Sequence, residues 1–400
     1  MTPMTTTTSL PSPRARVAAL TDAAIAMRRD FHEHAELSTQ EHRTQTVIVD
    51  RLRALGCDDV RASADTGATC IVRGDKPGPA LMWRADIDGL PLQEATGLPF
   101  ASQSGAMHAC GHDGHTAIAL ALAELTQQSR ASLAGSVRFV FQPAEEHVGG
   151  ARRMIADGVM ADPPIDRVFG LHIWASAPTG TVLVREGAIF AAATHFRIMI
   201  RGRGGHAAAP HQTVDPIVVS AHVVTALQTV VSRSIDPEHP AVVTIGRIEG
   251  GVRGNIIPNE VMMSGTIRTF DAGVLDRVLR RMDTIIKGVA TAFGAEYTLD
   301  HSTLNACVND AESASLVSGV AAAFVGPDRV AETRATGADD MCLFLEAAPG
   351  AYFLLGAEPA GAERVYPHHH PRFDFDEAAL PIGIELGLRV IEAATGSDLG

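Results

Sequence analysis

The pattern that most constrains the fold is an alternation of predicted strands and helices that is interrupted in the middle of the chain. A helical pattern runs from Pro13 to Leu55 and ends at Gly56. Apolar runs then predict strands, with helices or turns between them, at 68–74, 79–88, 135–146 and 165–174. Near the C-terminus the order helix, strand, helix resumes. Such alternation is typical of an α/β sandwich around a mostly parallel sheet.

The middle of the chain has a different rhythm. Between residues 191 and 304 the predicted order is strand, helix, strand, strand, helix, strand, which is that of a ferredoxin-like split unit. The simplest account is a compact α+β domain inserted into a larger one, and 400 residues suit about two domains. We therefore expect a larger domain from 13–190 and 305–400, an inserted domain at 191–304, and a disordered Thr/Ser/Pro-rich tail at 1–12.

Charge and composition exclude several classes of partner. With 33 Lys and Arg against 46 Asp and Glu, the net charge of −13 disfavours binding to a nucleic acid. No apolar run approaches the ~20 residues of a membrane span. The N-terminus lacks the apolar core of a secretion signal, with a transit peptide as the alternative. The 5 cysteines are scattered and odd in number, which favours a reducing cytoplasm without a disulfide framework.

One short stretch is dense in metal-binding side chains. The segment MHACGHDGHT, Met107–Thr116, holds three His, one Cys and one Asp. Other polar residues collect at the ends of predicted strands, namely Asp86, Asp88, Glu145, Glu146, His172 and His368–His370. Cys, His and carboxylate ligands suit a borderline divalent ion such as zinc. Since five or more ligands exceed one tetrahedral site, two bridged ions are plausible, and paired ions suit hydrolysis.

Each of these residues also has an ordinary structural interpretation. A single His in an apolar strand, such as His172, is more often a core histidine, and Cys110 alone would be a small buried hydrophobe. Two adjacent Glu residues usually lie on a solvated face. Their joint occurrence favours the metal interpretation. Within the Glu pair, one carboxylate can bind metal while the other acts as general base toward a water.

The order of these motifs resembles that of a known family. RADIDGLPLQE, MHACGHDGHTA, FQPAEE, GLHIW, GRGGHAAAPH, GGVRGNIIPNE, GTIRTFD and HHPRFDFDE occur in the family's order, from Arg28–Glu41 onward. The chain resembles the amidohydrolase branch of the co-catalytic metallopeptidases. That branch includes hippurate hydrolases, N-acyl-amino-acid amidohydrolases and plant auxin-conjugate hydrolases.

The resemblance implies a role for each of several residues. Two divalent ions per subunit, of zinc, manganese, cobalt or nickel, would be held by Cys110, His112, Glu146, His172 and His369. Glu145 would be the general base, and Asp88 would orient a metal ligand. The inserted domain would serve as a lid and as a dimerisation surface. From it, His206, Asn255 and Arg268 would approach the substrate.

Three departures from the family pattern leave questions open. Ala35 stands where the family usually has Pro. TGADDM replaces the usual Glu-Asp-Phe, so Asp339 and Asp340 receive no role. His370 is the rival of His369 as the last ligand, because three His are consecutive. Among the remaining polar residues of the metal loop, His108 and His115 are interpreted as structural, and Asp113 as a supporting or capping residue.

The implied activity is hydrolysis of the amide bond in N-acyl amino acids by a metal-activated water, with Glu145 as base. The protein would be a cytoplasmic homodimer or tetramer that acts on a small molecule. The alternative is a carboxypeptidase or dipeptidase of the same architecture. A third hypothesis, a metal-binding homologue without activity, is disfavoured because a binding protein does not need a base beside the water.

Overall fold

The chain forms two compact units. The computed structural model describes residues 12–147, 149–359, 361 and 364–399. The larger unit comprises the residues up to Ile189, Val308–Thr333, and those from Asp339 onward, and the smaller unit comprises Phe190–Cys307 with Arg334–Ala338. The expectation of a disordered tail falls on residues 1–11, which lie outside the described residues. Ser12 is described, and its Oγ accepts a hydrogen bond from Ala15 N at the start of the first helix.

The helices and strands of the described residues are numbered in chain order. The helices are α1 Pro13–Glu33, α2 His42–Ala54, α3 His112–Gln128, α4 Gly150–Ala156, α5 Pro216–Ser234, α6 Ala272–Phe293, α7 Ala311–Val325, α8 Met341–Ala347 and α9 Ala379–Thr395. The strands are β1 Asp58–Ser63, β2 Gly67–Arg73, β3 Lys76–Asp86, β4 Ala134–Gln142, β5 Arg167–Trp174, β6 Val182–Leu183, β7 Gly187–Phe190, β8 Ala192–Arg201, β9 Gly205–His206, β10 Ala241–Gly250, β11 Ile256–Ile257, β12 Glu260–Thr269, β13 Glu296–Leu304, β14 Cys307–Asn309, β15 Val330–Ala331 and β16 Gly350–Gly356.

The helical pattern expected from 13 to 55 is interrupted. Residues 34–41 form a loop between α1 and α2. The carboxylate of Glu36 accepts hydrogen bonds from the backbone N–H groups of Arg43, at 3.0 Å, and Thr44, at 2.8 Å. These donors belong to the first turn of α2, so Glu36 caps a new helix. The backbone of Glu36 also accepts a hydrogen bond from Gly89 N, which ties the loop to the end of β3.

The large sheet of the larger unit is mixed. Its order is β1-β2-β4-β3-β5-β16-β6-β15. The central strands β4, β3, β5 and β16 are parallel to one another, while β2 pairs antiparallel with β1 and β4, and β6 pairs antiparallel with β16. The prediction of an α/β sandwich is therefore confirmed, with the parallel part at its centre. Because parallel strands end at the same edge, the residues that follow β3, β4 and β5 come together.

Side chains of β3 alternate between two buried environments, as expected for a central strand. Leu81, Trp83 and Ala85 lie in the main apolar core, which also contains residues of α3 and α9. Arg84 lies between them in sequence and therefore points to the opposite face, where it is 1% exposed. A buried guanidinium requires anionic partners. The sheet thus carries a charged cluster beneath the edge at which the candidate site lies.

The smaller unit has the predicted βαββαβ order. Its four-stranded sheet is antiparallel throughout, in the order β10-β12-β8-β13. Phe196, Ile198 and Ile200 of β8 face a core that includes α5 and α6, whereas the intervening side chains are mostly exposed. This arrangement confirms the ferredoxin-like α+β class.

Helix α5 is, within the described part of the chain, the one helix long and apolar enough to cross a membrane by composition alone. Its residues Val219, Val223, Leu227 and Val230 are buried in the core of the smaller unit. This stripe recurs at helical spacing, so α5 is accounted for as an amphipathic core helix.

Candidate metal centre

The metal-rich loop is held by the start of α3. Gly111, at φ 89°, stands at the N-cap, between Cys110 and His112. A residue with a side chain rarely adopts this left-handed backbone, so glycine permits the tight turn. The turn places Cys110 Sγ 3.5 Å from His172 Nε2 at the end of β5. Cys110, His112 and His172 each offer a ligand atom within 4.8 Å of the others.

His112 is oriented by Asp88. Its Nδ1 donates to the backbone carbonyl of Asp88 at 2.9 Å and lies 3.2 Å from Asp88 Oδ1. A carbonyl oxygen can only accept, so Nδ1 carries a proton and Nε2 is the nitrogen left to bind a metal. That Nε2 is buried, makes no hydrogen bond, and lies 4.0 Å from Glu146 Oε1. An imidazole whose far nitrogen is fixed in this way is typical of a metal ligand.

His172 has the same organisation on the facing strand. Its Nδ1 donates to the carbonyl of Ile173 at 2.6 Å, so Nε2 is the nitrogen that faces Cys110 Sγ, at 3.5 Å. Burial lowers the pKa of His172 well below its usual value, and the neighbouring His115 and His368 lower it further. The neutral imidazole is the form that binds metal.

The Glu pair follows β4, and its two carboxylates come within 4.8 Å of each other and of His112. Glu146 Oε1 lies 3.2 Å from His369 Nε2 yet makes no hydrogen bond. Glu145 is buried, and its carboxylate lies within 4.8 Å of those of Asp339 and Asp340. Burial and these neighbouring carboxylates raise the pKa of Glu145 well above its usual value. The structure therefore gives the two adjacent carboxylates different surroundings.

Of the two rival histidines, His369 joins the cluster. With φ 66° it occupies the left-handed region, and its backbone N–H donates to Ala109 O at 2.8 Å. Its ring nitrogen lies within 4.8 Å of ligand atoms of Cys110 and Glu146. His370 instead stacks on Tyr366, with ring centroids 4.6 Å apart.

The donor set fits divalent metal. Buried His112 Nε2 and Glu146 Oε1 face each other without a hydrogen bond to either, and such orphaned polar atoms are costly unless a cation binds them. Burial and the nearby Glu146 and Glu145 carboxylates raise the pKa of the Cys110 thiol well above its usual value. A cation bound among these side chains would give both atoms a partner and would lower the pKa of the Cys110 thiol.

The two other histidines of the loop, His115 and His108, differ in how their ring nitrogens are hydrogen-bonded. His115 Nδ1 donates to Asp86 Oδ1 at 2.5 Å, and its Nε2 accepts from Ile173 N at 2.8 Å. Both of its nitrogens are therefore used, although it lies near His112. His108 is buried, and neither of its ring nitrogens has a hydrogen-bond partner among the described residues.

Sequence reasoning missed a charged cluster beside Glu145. Arg84 contacts Asp86 at 2.7 Å, Asp339 at 3.0 Å and Asp340 at 3.3 Å. The cluster brings Asp339 and Asp340, for which no role was expected, to the Glu145 carboxylate. The available signal was an arginine within the otherwise apolar strand ALMWRAD.

The sequence-predicted substrate residues lie in the smaller unit. His206 in β9 pairs with Ile256 in β11, next to Asn255, whose carbonyl accepts from Ala207 N at 3.2 Å. His206 Nδ1 accepts from Ala208 N at 3.0 Å, which leaves Nε2 as the donor nitrogen. Arg268 lies on β12, apart from this pair. Its Nη1 donates to the carbonyl of Ile267 at 3.2 Å, and burial lowers its pKa.

A mixed α/β sheet with a Cys, His and carboxylate cluster beyond its parallel strands defines the class of metal-dependent hydrolases. Within that class the chain belongs to peptidase family M20/M25/M40, whose family model matches residues 82–393.

Relatives support this assignment along nearly the whole chain. An N-acetylcysteine deacetylase of Bacillus subtilis is 38% identical over 92% of this chain and 97% of its own length. A thermostable carboxypeptidase of Saccharolobus solfataricus is 38% identical over 90% of this chain and 93% of its own. A solved Bacillus subtilis structure, described as a dinuclear metal binding peptidase from the M20 family, covers 95% of this chain and 100% of that chain, with a TM-score of 0.83 and 34% identity.

Proposed function

We propose that this protein hydrolyses the amide bond of N-acyl amino acids with two divalent metal ions. The observation that carries the proposal is that the buried atoms His112 Nε2 and Glu146 Oε1, 4.0 Å apart, make no hydrogen bond, while Glu146 Oε1 also faces His369 Nε2 at 3.2 Å. Cys110, His172 and His369 complete the ligand set around them. A relative that deacetylates N-acetylcysteine supports an acyl amino acid as the substrate class.

When bound, two divalent ions polarise the acyl carbonyl and acidify a water. The protein's own residues move the proton. Glu145 accepts it from the attacking water and later gives it to the leaving amine. Asp88 keeps His112 in the tautomer whose Nε2 lone pair faces the cluster.

The donor set favours zinc, because thiolate and imidazole ligands suit a borderline ion. Manganese, cobalt and nickel are the other candidate ions. The experiment that tests function and metal together measures hydrolysis of an acyl-amino-acid library by chelated protein resupplied with each ion. Activity that survives exhaustive removal of metal would overturn the proposal.

Substrate recognition falls to the smaller unit in this proposal. Arg268 has no carboxylate partner among the described residues, and its planar guanidinium suits bidentate binding of a substrate carboxylate. His206 would donate to the oxyanion of the tetrahedral intermediate, with Asn255 beside it. The smaller unit would act as a lid.

We also propose that the smaller unit forms the interface of a homodimer, or of a tetramer built from such dimers. Nearly all strongly exposed large apolar side chains of the described residues belong to it, namely Ile217, Val218, Val242, Ile248, Val252, Ile256 and Phe293. Exposed apolar patches mark interaction surfaces, and β10 is an edge strand that pairs within its sheet on one side only. Sedimentation that gives a monomer at micromolar concentration would contradict this.

A cytoplasmic location is proposed from cysteine chemistry. Cys57, Cys70, Cys110, Cys307 and Cys342 are all free thiols. A thiolate metal ligand is compatible with a reducing compartment.

A carboxypeptidase is the second candidate function, because a carboxypeptidase is among the relatives at 38% identity. Both reactions cleave an amide next to a free α-carboxylate. Rates on N-acetyl and N-benzoyl amino acids compared with a dipeptide panel separate the two.

A further inference from the structure

The turn that carries Glu145 and Glu146 has a strained backbone conformation. Ala144, just before the pair, has φ 52°, a left-handed conformation that is unfavourable for a residue with a side chain. The turn is also tightly packed, since a side chain at Gly150 would come within 1.6 Å of Pro143 O. Something outside the turn must therefore stabilise this conformation.

A buried carboxylate from a distant loop supplies that support. Glu41 is fully buried, and its Oε1 accepts a hydrogen bond from Ala144 N at 2.8 Å. Its Oε2 accepts from Thr66 Oγ1 at 2.5 Å, which fixes the carboxylate plane. The N–H that Glu41 binds belongs to the strained residue itself.

The Glu41 side chain is available for this contact because another residue caps helix α2. Glu41 stands at the N-cap of α2, but its side chain makes no capping hydrogen bond. The first N–H groups of α2 are capped by Glu36 instead. The Glu41 carboxylate is thus at the N-cap position without capping the helix, and it is available to bind a group outside α2.

The same loop holds the turn from its other end. Ser38 Oγ donates a hydrogen bond to Asp88 Oδ2 at 2.6 Å. Asp88 Oδ2 also accepts a hydrogen bond from Glu146 N, at 3.1 Å. Glu146 is thus fixed through Asp88, while the residue before Glu145 is fixed through Glu41. The two carboxylates of the pair have separate supports.

We propose that Glu41 is a positioning residue for Glu145: through the Ala144 N–H it holds the strained turn that directs the Glu145 carboxylate. It touches neither substrate nor metal. The inference rests on the proposed role of Glu145 as general base. It requires an acceptor oxygen at this reach and does not require the negative charge.

Three variants separate reach from charge. Glu41→Gln keeps the acceptor at the same length, and its amide can donate to Thr66 Oγ1, so kcat stays within about threefold of wild type. Glu41→Asp keeps the charge but is one methylene too short, and Glu41→Ala removes the group. Both lower kcat on the order of 10²-fold, because misplacing a catalytic group by about 1 Å has an effect of that size. Metal content and KM stay near wild type in all three.

The matched control is Glu36→Ala, which removes two backbone hydrogen bonds in the same loop without touching the turn. It lowers the melting temperature and leaves kcat unchanged. The inference is overturned if Gln is as impaired as Ala and Asp, if Asp retains full kcat, or if Glu36→Ala lowers kcat equally. If Glu41→Ala does not fold, the Gln and Asp pair decides.

Glu145→Gln in the same assay distinguishes this inference from the proposed function. If Glu145→Gln retains turnover, the general-base role fails whatever Glu41 does. If Glu145→Gln is inactive while every Glu41 variant keeps wild-type kcat, only the positioning role of Glu41 is wrong.

Discussion

Arg28 and Asp113 form an ion pair buried beneath the metal loop, with Arg28 Nε 2.8 Å from Asp113 Oδ2 and the two side chains 1% and 0% exposed. The same carboxylate oxygen lies 2.8 Å from His32 Nδ1. Asp113 directly follows His112, so this pair anchors the helix turn that carries a proposed ligand. The carboxylate thus neutralises a buried guanidinium beneath the candidate metal centre.

We expect Asp113→Asn to destabilise the protein strongly. It removes the carboxylate that Arg28 and His32 share. Arg28 keeps Asp374 and Glu377 and His32 keeps Glu94, so the loss should lie at the lower end of the about 3–5 kcal/mol typical when a buried pair is broken from one side. Denaturant unfolding of the metal-saturated protein measures the change. The control is Arg29→Ala, which breaks an ion pair with Glu377 whose arginine side chain is 49% exposed. Exposed pairs contribute about 0–1 kcal/mol, so equal losses in the two variants would contradict the argument.

The stability of this network should depend on pH through His32. Burial disfavours its charged form, but hydrogen bonds to Asp113 and Glu94 outweigh burial and raise its pKa to about 9. The folded pKa lies above the unfolded value of about 6.5. The stabilisation is therefore complete below about pH 6.5 and is lost as the pH rises through about 9, with a maximum of about 3 kcal/mol.

Unfolding free energies of wild type and His32→Gln at pH 6, 8 and 10 test this dependence. The wild-type advantage should be largest at pH 6 and shrink toward pH 10. A difference between the two proteins that does not change with pH would show that folding does not shift the pKa of His32.

The strand pattern of the sequence predicted the fold well where apolar runs were long. The patterns EYTLDHSTL, DPIVVSAHVVTALQTVVSR and AGVLDRVLRRMDTIIKGVATAFGA predict a strand at 296–304 and helices at 215–233 and 272–295. The structure has these elements at Glu296–Leu304, Pro216–Ser234 and Ala272–Phe293. The break at residues 34–41 was missed because apolar periodicity continues through it without Pro or Gly. That loop is fixed by contacts distant in sequence, such as Gly89 N to Glu36 O, which no local pattern records.

In the candidate site, too, some residues could be predicted from the sequence and others could not. The proposed ligands were recognisable because Cys, His and Glu recur in short motifs. The residues that support them were not, because Arg84, Asp339 and Glu41 acquire meaning only when strands and loops distant in sequence meet. A charged side chain within an apolar strand was the one local signal, and it identifies Arg84 but none of its partners.

Within the Glu pair, exchange of each residue for Gln should give opposite results. Glu145→Gln should keep both metals and lose turnover by about 10²–10⁴-fold, because an amide cannot accept the water's proton. Glu146→Gln should weaken metal occupancy instead. Elemental analysis and kcat, measured side by side, check both, and the reverse outcome would exchange the two roles.

Cys110→Ser should lower metal affinity without unfolding the protein. A serine hydroxyl is a harder and much less acidic ligand than a thiolate. Cys342→Ser is the control, since Cys342 is a buried free thiol outside the candidate cluster. Metal titration of chelated protein compares them. Unchanged metal affinity in Cys110→Ser would make Cys110 an ordinary buried thiol.

Arg268→Ala should mainly raise KM for substrates that have a free α-carboxylate. Arg268 is a partly buried guanidinium that donates a hydrogen bond to the neighbouring carbonyl of Ile267, at 3.2 Å. A hydrogen bond to a charged group contributes about 1.5–3 kcal/mol, so KM should rise about 10- to 100-fold. Metal content should not change.

The control for Arg268 is Arg197→Ala on the neighbouring strand β8. In the register of β8 and β12, Arg197 is opposite Ser264 and lies on the same face of the sheet as Arg268, and it is exposed. Its removal should leave KM unchanged. The decisive comparison pairs each acyl amino acid with its neutral amide. If Arg268→Ala affects acid and amide equally, the guanidinium does not bind the carboxylate, because only the acid presents an anion for it to bind.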